Sequence, residues 1–412
     1  MTAGPVHPAP TGDGAAAVTG RPAGEIRPEQ AGEAWRAARS VMPAGHLDAA
    51  GCNVPSDRVL DAMTAHLALE RERGGYRAVP DLTEARRALA ALAGAGPQDV
   101  AFLESGTAAM AALLGGWRLG PGTRVGRART EYGSTVMLLH RLAGRNGWRL
   151  VDLPAGGDTR IDPDGLRRAL EAGLDLVVLS HIASHRGVVQ PVAELGALCR
   201  DFGVPLVLDV CQSLGHVDVR GAGATAYVGT SRKWLAGPRG AGFLIVPGLT
   251  PAVDAVMDAP APTLSGHIWE DPERDPRPVP GAARYESSEG VIAARAGLGV
   301  AVLEHHALGP AAVHAHLAGL GRLARELLDG AGGWRVCEPL DEPSALVTLL
   351  PPPHDSVERA AARARAADLL VGVVPAARAP LDLREPVLRI SPPPGTPPET
   401  LETLAKLLST PS

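Results

Sequence analysis

From about residue 99 the chain alternates short apolar runs with amphipathic stretches. Asp99 to Leu103, Arg124 to Ala128, Trp148 to Leu153, Leu176 to His181, Pro205 to Val210, Ala226 to Gly229 and Gly242 to Val246 read as strands. Apolar positions recur at helical spacing over Ala108 to Gly115, Ser134 to Asn146, Asp162 to Ala172 and Val192 to Phe202. Asp162-Pro163 supplies a helix start signal. The runs Leu176 to His181 and Pro205 to Val210 are almost wholly apolar, as strands covered on both faces are. Such alternation predicts an α/β sheet between two helical layers, with ligands at the carboxyl ends of its strands. Ahead of it, helices are predicted over Gln30 to Val41, Asp57 to Glu72 and Asp81 to Ala93, with a loop at Gly74-Gly75-Tyr76. Beyond Pro247 comes a Pro-rich connector. A second unit follows, with helices Val291 to His306, Ala312 to Leu328, Ser356 to Leu369 and Pro398 to Leu408. Its predicted strands are Trp334 to Glu338, Ala345 to Leu350 and Val387 to Ile390.

Length divides this pattern. At 412 residues the chain is long for one core. The expected organisation is a disordered tail over residues 1–27, where Ala, Gly, Pro and Thr leave little to bury, a large domain over 28–285 and a small domain over 286–412. A net charge of -5 gives no basic field for nucleic acid and no polybasic patch for a membrane. No apolar run reaches the length of a membrane span, and the start lacks signal-peptide order, so a cytoplasmic protein is expected. Cys52, Cys199, Cys211 and Cys337 are scattered without a CxxC pair, which suggests neither a zinc site nor a disulfide framework. His305, His306, His314 and His316 lie in Ala-rich helical surroundings without suitably spaced carboxylates, so no metal site is predicted.

The candidate chemistry centres on Lys233. Among 40 basic residues only Lys233 and Lys406 are lysines. An amine can lose its proton in a desolvated pocket and condense with a carbonyl, which a guanidinium cannot. Its neighbours in Gly229-Thr230-Ser231-Arg232-Lys233 offer hydroxyl, guanidinium and backbone groups suited to a phosphate. Asp209 ends an apolar strand, where a carboxylate is costly without a cationic partner. Such a carboxylate can cap the next turn, or it can keep a pyridine nitrogen protonated and so make pyridoxal phosphate an electron sink. Gln212, three residues on, is placed to reach the ring's phenolic oxygen. No GxxxxGK[ST] loop is present, so a nucleotide is not the obvious alternative.

These residues resemble the class V aminotransferase and cysteine desulfurase branch of the fold type I pyridoxal-phosphate enzymes. The likeness runs from about Gly45 to the end and rests on four stretches. They are Asp209-Val-Cys-Gln212-Ser213-Leu-Gly215-His216, Gly229-Thr-Ser-Arg-Lys-Trp-Leu-Ala-Gly237-Pro238, Leu47-Asp48-Ala49-Ala50 and Arg284-Tyr285-Glu286. The resemblance implies a large domain with a mostly parallel seven-stranded sheet and a smaller C-terminal α+β domain. It makes Lys233 the Schiff-base lysine, Asp209 the pyridine-nitrogen partner and Gln212 the neighbour of the ring hydroxyl. It assigns the phosphate to Ser105, Gly106 and Thr107 at a helix N-terminus, completed by Thr230 and Arg232. Tyr132 falls where an aromatic stacks on the ring, and Ser184 where relatives have asparagine. Arg389 resembles the arginine that grips the α-carboxylate. His185, which follows Ser184, either faces the substrate or is a loop histidine satisfied by partners of its own, and Tyr76 in the Gly74-Gly75-Tyr76 loop is a further candidate substrate contact. The branch commonly builds a homodimer with a shared site, the segment Arg284 to Gly290 reaching the neighbour's phosphate. Here Ser287-Ser288-Glu289 departs from its usual Ala-Gly-Thr.

Desulfurases carry a persulfide-forming cysteine before the final arginine strand; residues 373–380 hold none, and Cys337 lies too early. Within the branch, His181 to Pro191, Gly74-Gly75-Tyr76 and the lysine loop resemble the C–S lyase of ergothioneine biosynthesis and other enzymes that process S-substituted cysteines. That likeness implies β-elimination releasing thiol or sulfenate, pyruvate and ammonia. Transamination and decarboxylative deamination share the same residues, and a binding protein without turnover is the alternative of another class.

Overall fold

The computed structural model describes residues 26–410, so the tail predicted for residues 1–27 lies, but for its last two residues, outside the described residues. The predicted strands of the first unit all form and join one sheet. They are β1 (Val100–Leu103), β2 (Arg124–Arg127), β3 (Arg149–Asp152), β4 (Leu176–Ser180), β5 (Leu206–Asp209), β6 (Ala226–Thr230) and β7 (Gly242–Ile245). Their order is β1-β7-β6-β5-β4-β2-β3. All pairings are parallel except those of β7, which runs antiparallel to both β1 and β6. Successive side chains of a strand point to opposite faces. Accordingly Val177 and Leu179 enter the core on one face, with Phe102, Leu208 and Tyr227, while Leu176 and Val178 enter the core on the other, with Val125, Val207 and Val228. Each such side chain stabilises the fold by about 1.5–3 kcal/mol on burial. The runs of β4 and β5 are apolar up to their last residues, Ser180 and Asp209, because both faces are covered.

The register fixes the site. Ser180 pairs with Asp209 and Asp209 with Val228, so β4 and β5 finish at one level and β6 runs two residues further, to Thr230, along the same edge. The polar residues that follow the three strands therefore converge over one edge of the sheet. Helix Gly106–Gly116 starts at the same edge, with Ser105 Oγ accepting from Ala108 N (3.1 Å) as its N-cap. A Cβ on Gly242 would sit 2.4 Å from the Ser105 carbonyl carbon, so only glycine lets β7 pass this close beneath the turn.

A second, antiparallel sheet takes the order Arg335–Val336, Val347–Leu350, Val387–Ile390, Gly372–Val374. Two expectations are corrected here. The helix predicted to Leu369 ends at Ala366, and Leu369–Leu370 instead pairs in parallel with Gly45–His46. Strand Gly372–Val374 has no counterpart in the prediction: at three residues with Val373 outward, it is too short to show a period. The chain near residue 47 is threaded onto this unit, with Leu47 N donating to Leu370 O and Ser391 N to Leu47 O. That path carries Asp48 and Ala50 to the edge where the large sheet ends. Among the described residues no helix is long and apolar enough to cross a membrane.

Candidate active site

A cavity of about 200 Å³ lies at the carboxyl ends of β4, β5 and β6. Ten of the predicted residues line it: Ser105, Gly106, Thr107, Tyr132, Ser184, Asp209, Gln212, Thr230, Arg232 and Lys233, and Arg389 reaches it from strand Val387–Ile390.

Lys233 stands in a tight turn after β6. Ala236 N donates to Lys233 O (2.9 Å), Gly237 N to Ser231 O (2.9 Å), and Ser231 Oγ to Pro238 O. Ala236 occupies the left-handed region (φ 52°), a costly conformation for alanine that the surrounding bonds enforce. The Lys233 side chain makes no hydrogen bond or ion pair among the described residues. Desolvation pulls its ammonium down to about 8; the Cys211 and Asp209 charges oppose that shift, and Arg232 and Arg389 assist it.

Asp209 ends β5, and its Oδ1 accepts from Cys211 N (2.8 Å). The Gln212 amide is fixed from both ends: Oε1 accepts from Trp234 Nε1 (2.9 Å) and Nε2 donates to Ala50 O (3.0 Å). One Gln212 N–H is left for a ligand. Behind it the His216 ring stacks on Trp234 at 3.7 Å between centroids. His216 Nε2 accepts from Ala345 N (2.7 Å), so Nδ1 carries the proton and donates to Gln212 O (2.9 Å). Burial pushes this imidazole down to about 3, and it stays neutral. It ties the second unit to the cavity floor.

Arg389 is 3% exposed, and its guanidinium donates to Ser184 O (2.8 Å) and Asp48 Oδ1 (2.8 Å). Its Nε and the Ser184 Oγ are buried without partners. Two predicted contacts are not part of this cavity. His185 is wholly buried and its Nε2 binds Asp382 Oδ2 (2.8 Å), because the turn that aims Ser184 inward sends the next side chain toward the second unit. Tyr76 is 79% exposed, lines a separate cavity of about 430 Å³, and donates to Glu289 Oε1 (2.7 Å). Arg284 is bound within its own chain, to Asp254 Oδ1 and Met257 O.

Sequence reasoning missed Ser180, Glu131, Cys211 and Arg378 as parts of the site. Ser180 and Cys211 had a usable signal, since each adjoins the carboxyl end of a predicted strand. Glu131 is fully buried and accepts from Ser180 N and Ser180 Oγ, both at 2.7 Å. Burial raises its carboxyl to about 8, against the pull of the Ser180 bonds. Burial likewise pushes the Cys211 thiol up, so it offers no ready thiolate. Arg378 comes from an irregular segment with no pattern to read.

The donor set has a definite chemistry. An amine that desolvation makes easier to deprotonate suits a carbonyl, a carboxylate suits a protonated ring nitrogen, and a helix N-terminus with Thr230 and Arg232 suits a phosphate. The Ser184 Oγ, buried without a partner, and the Lys233 amine, which makes no hydrogen bond or ion pair among the described residues, are polar groups such a ligand would satisfy. Pyridoxal phosphate fits these residues, and with this sheet order the molecule is a pyridoxal-phosphate enzyme of fold type I. The chain belongs to the class-V aminotransferase family, whose profile matches residues 47–358.

Among its relatives is a protein of Mycobacterium tuberculosis named "Probable hercynylcysteine sulfoxide lyase", 39% identical over an alignment of 386 residues that covers 91% of this chain and 92% of that one. Isopenicillin N epimerase of Streptomyces clavuligerus is 30% identical over 71% of this chain and 77% of its own. The fold is shared with a cystine C–S lyase solved with cysteine persulfide (TM-score 0.79, 19% identity, 89% of this chain and 98% of that one). It is shared equally with a cysteine desulfurase from Escherichia coli (TM-score 0.79, 17% identity, 92% and 97%).

Proposed function

We propose that this enzyme cleaves the C–S bond of an S-substituted L-cysteine, a thioether or its sulfoxide, by β-elimination. The observation that carries the reading is the 39% identity to a hercynylcysteine sulfoxide lyase across nine-tenths of both chains. The cavity supports it: Cys211, its one lining cysteine among the described residues, is half-buried, and desolvation together with the Asp209 charge disfavours the thiolate that sulfur transfer to the protein would need. Bound pyridoxal phosphate supplies a sink for the electrons left at Cα. Asp209 holds the proton on the ring nitrogen. Ser105, Gly106, Thr107, Thr230 and Arg232 hold the phosphate, while Tyr132, Ser184 and Gln212 orient the ring. Arg389 takes the α-carboxylate, and the Lys233 amine removes the α-proton. The Cβ–S bond then breaks with its electron pair going to sulfur, and hydrolysis of the three-carbon fragment gives pyruvate and ammonia.

The enzyme works in the cytoplasm as a homodimer; its four unpaired cysteines and the exposed Tyr76, Val79, Leu264 and Trp269 support that reading. The test is product analysis with S-propyl-L-cysteine and its sulfoxide. Pyruvate, ammonia and one equivalent of thiol or sulfenate are expected. A keto acid that retains the sulfur substituent, or carbon dioxide with an aldehyde, overturns the proposal in favour of transamination or decarboxylation.

A further inference from the structure

Three arginines on the cavity wall have different surroundings. Arg389 is deep and half committed to Asp48 and Ser184 O. Arg232 shares the lysine turn with the residues suited to a phosphate. Arg378 is exposed at the mouth, and its side chain has no hydrogen bond or ion pair among the described residues.

The turn Ala376–Arg378 that carries it is braced. Arg378 N donates to Pro375 O (2.9 Å), Ala379 is fully buried, and Arg129 Nη2 donates to Leu381 O (2.6 Å). The Ala377 carbonyl lies so close to Gly133 that a Cβ there would meet it at 2.5 Å. The acid next along the segment, Asp382, is already taken by His185 Nε2 (2.8 Å) and Arg186 Nε (3.1 Å). A guanidinium is thus held over the cavity with its neighbouring counter-ion engaged elsewhere. It stands near enough to Arg389 to depress that guanidinium, after burial and against the pull of Asp48.

On the C–S lyase reading, the α-amino and α-carboxylate groups of the substrate reach Lys233 and Arg389 in the depth of the cavity, so the sulfur substituent projects toward the mouth. We propose that Arg378 is a specificity-determining residue that selects substrates whose sulfur substituent carries a carboxylate. A planar fork suits that group better than a point charge does.

Two probes of equal length separate the effect: S-(2-carboxyethyl)-L-cysteine and S-propyl-L-cysteine. Arg378→Gln raises KM for the carboxyethyl compound by about tenfold to a hundredfold, the range of one charge-assisted hydrogen bond, with kcat little changed. The propyl compound changes by less than about twofold, and Arg378→Lys recovers part of the loss. The same pair is titrated calorimetrically into Lys233→Ala protein loaded with pyridoxal phosphate, with and without Arg378→Gln, which reads binding without turnover. Equal weakening of both compounds, or of neither, overturns the proposal. A wild type that yields no pyruvate from either compound refutes the lyase reading instead, and the calorimetric pair still decides whether Arg378 recognises the carboxylate.

Discussion

Lys233 falls from the ordinary 10.5 to about 8, chiefly because the cavity desolvates its ammonium. At pH 7 the uncharged fraction of such an amine rises from about one in three thousand to about one in ten, roughly 300-fold. Only the uncharged amine attacks an aldehyde, so capture of pyridoxal phosphate should follow that fraction. The assay uses apo-protein, brief exposure to the aldehyde from pH 6 to pH 10, borohydride fixation and mass spectrometry of the labelled peptides. With only two lysines in the chain, the exposed Lys406 is an internal control. The initial rate at Lys233 should rise to a midpoint near 8 and then level off, far exceeding that at Lys406 at neutral pH. Lys233→Ala should abolish the cavity label and leave the Lys406 label unchanged. Equal labelling of the two lysines, or a Lys233 rate still climbing at pH 10, would refute both the desolvation argument and the assignment.

Further expectations concern the groups around it. The Glu131 carboxyl is raised in the fold from 4.5 to about 8, so its burial is unpenalised below about pH 4.5 and stability is lost as pH rises toward 8. Between pH 5 and pH 8 that loss amounts to about 3 kcal/mol. Glu131→Gln, which keeps an acceptor for Ser180 N but cannot ionise, should flatten the pH dependence of the urea midpoint; an unchanged slope would count against a neutral Glu131. Asp209→Asn should keep the cofactor's visible absorbance while lowering kcat by about a hundredfold to a thousandfold, the size of one preorganised electrostatic contact. Full activity in that variant would remove Asp209 from the chemistry. Gly187→Ala would bring a Cβ within 1.8 Å of Leu346 O, next to the bond from Gly187 N to Glu338 (2.8 Å). A cost of about 1–3 kcal/mol is expected, seen as a lower melting temperature, and an unshifted transition would contradict the packing described.

The sequence by itself determined the seven strands of the large sheet, because five are local apolar runs and the other two, Arg124–Arg127 and Arg149–Asp152, are short stretches set between glycine-containing turns and amphipathic helices. It also determined the grouping of Ser105 to Thr107, Asp209, Gln212 and Lys233, since strands of one parallel sheet must bring their carboxyl ends together. Tertiary structure alone decided where loop side chains point. Ser184 and His185 are adjacent, yet one faces the cavity and the other is drawn away by Asp382, 197 residues on. Asp48 meets Arg389 across 341 residues, a pairing that spacing cannot announce. Strand Gly372–Val374 exists because Val387–Ile390 pairs with it, and Arg378 reaches the cavity because its turn rests on Gly133. Periodicity records which face of an element is buried, whereas the direction of a residue in irregular backbone is set by partners that only the folded chain supplies.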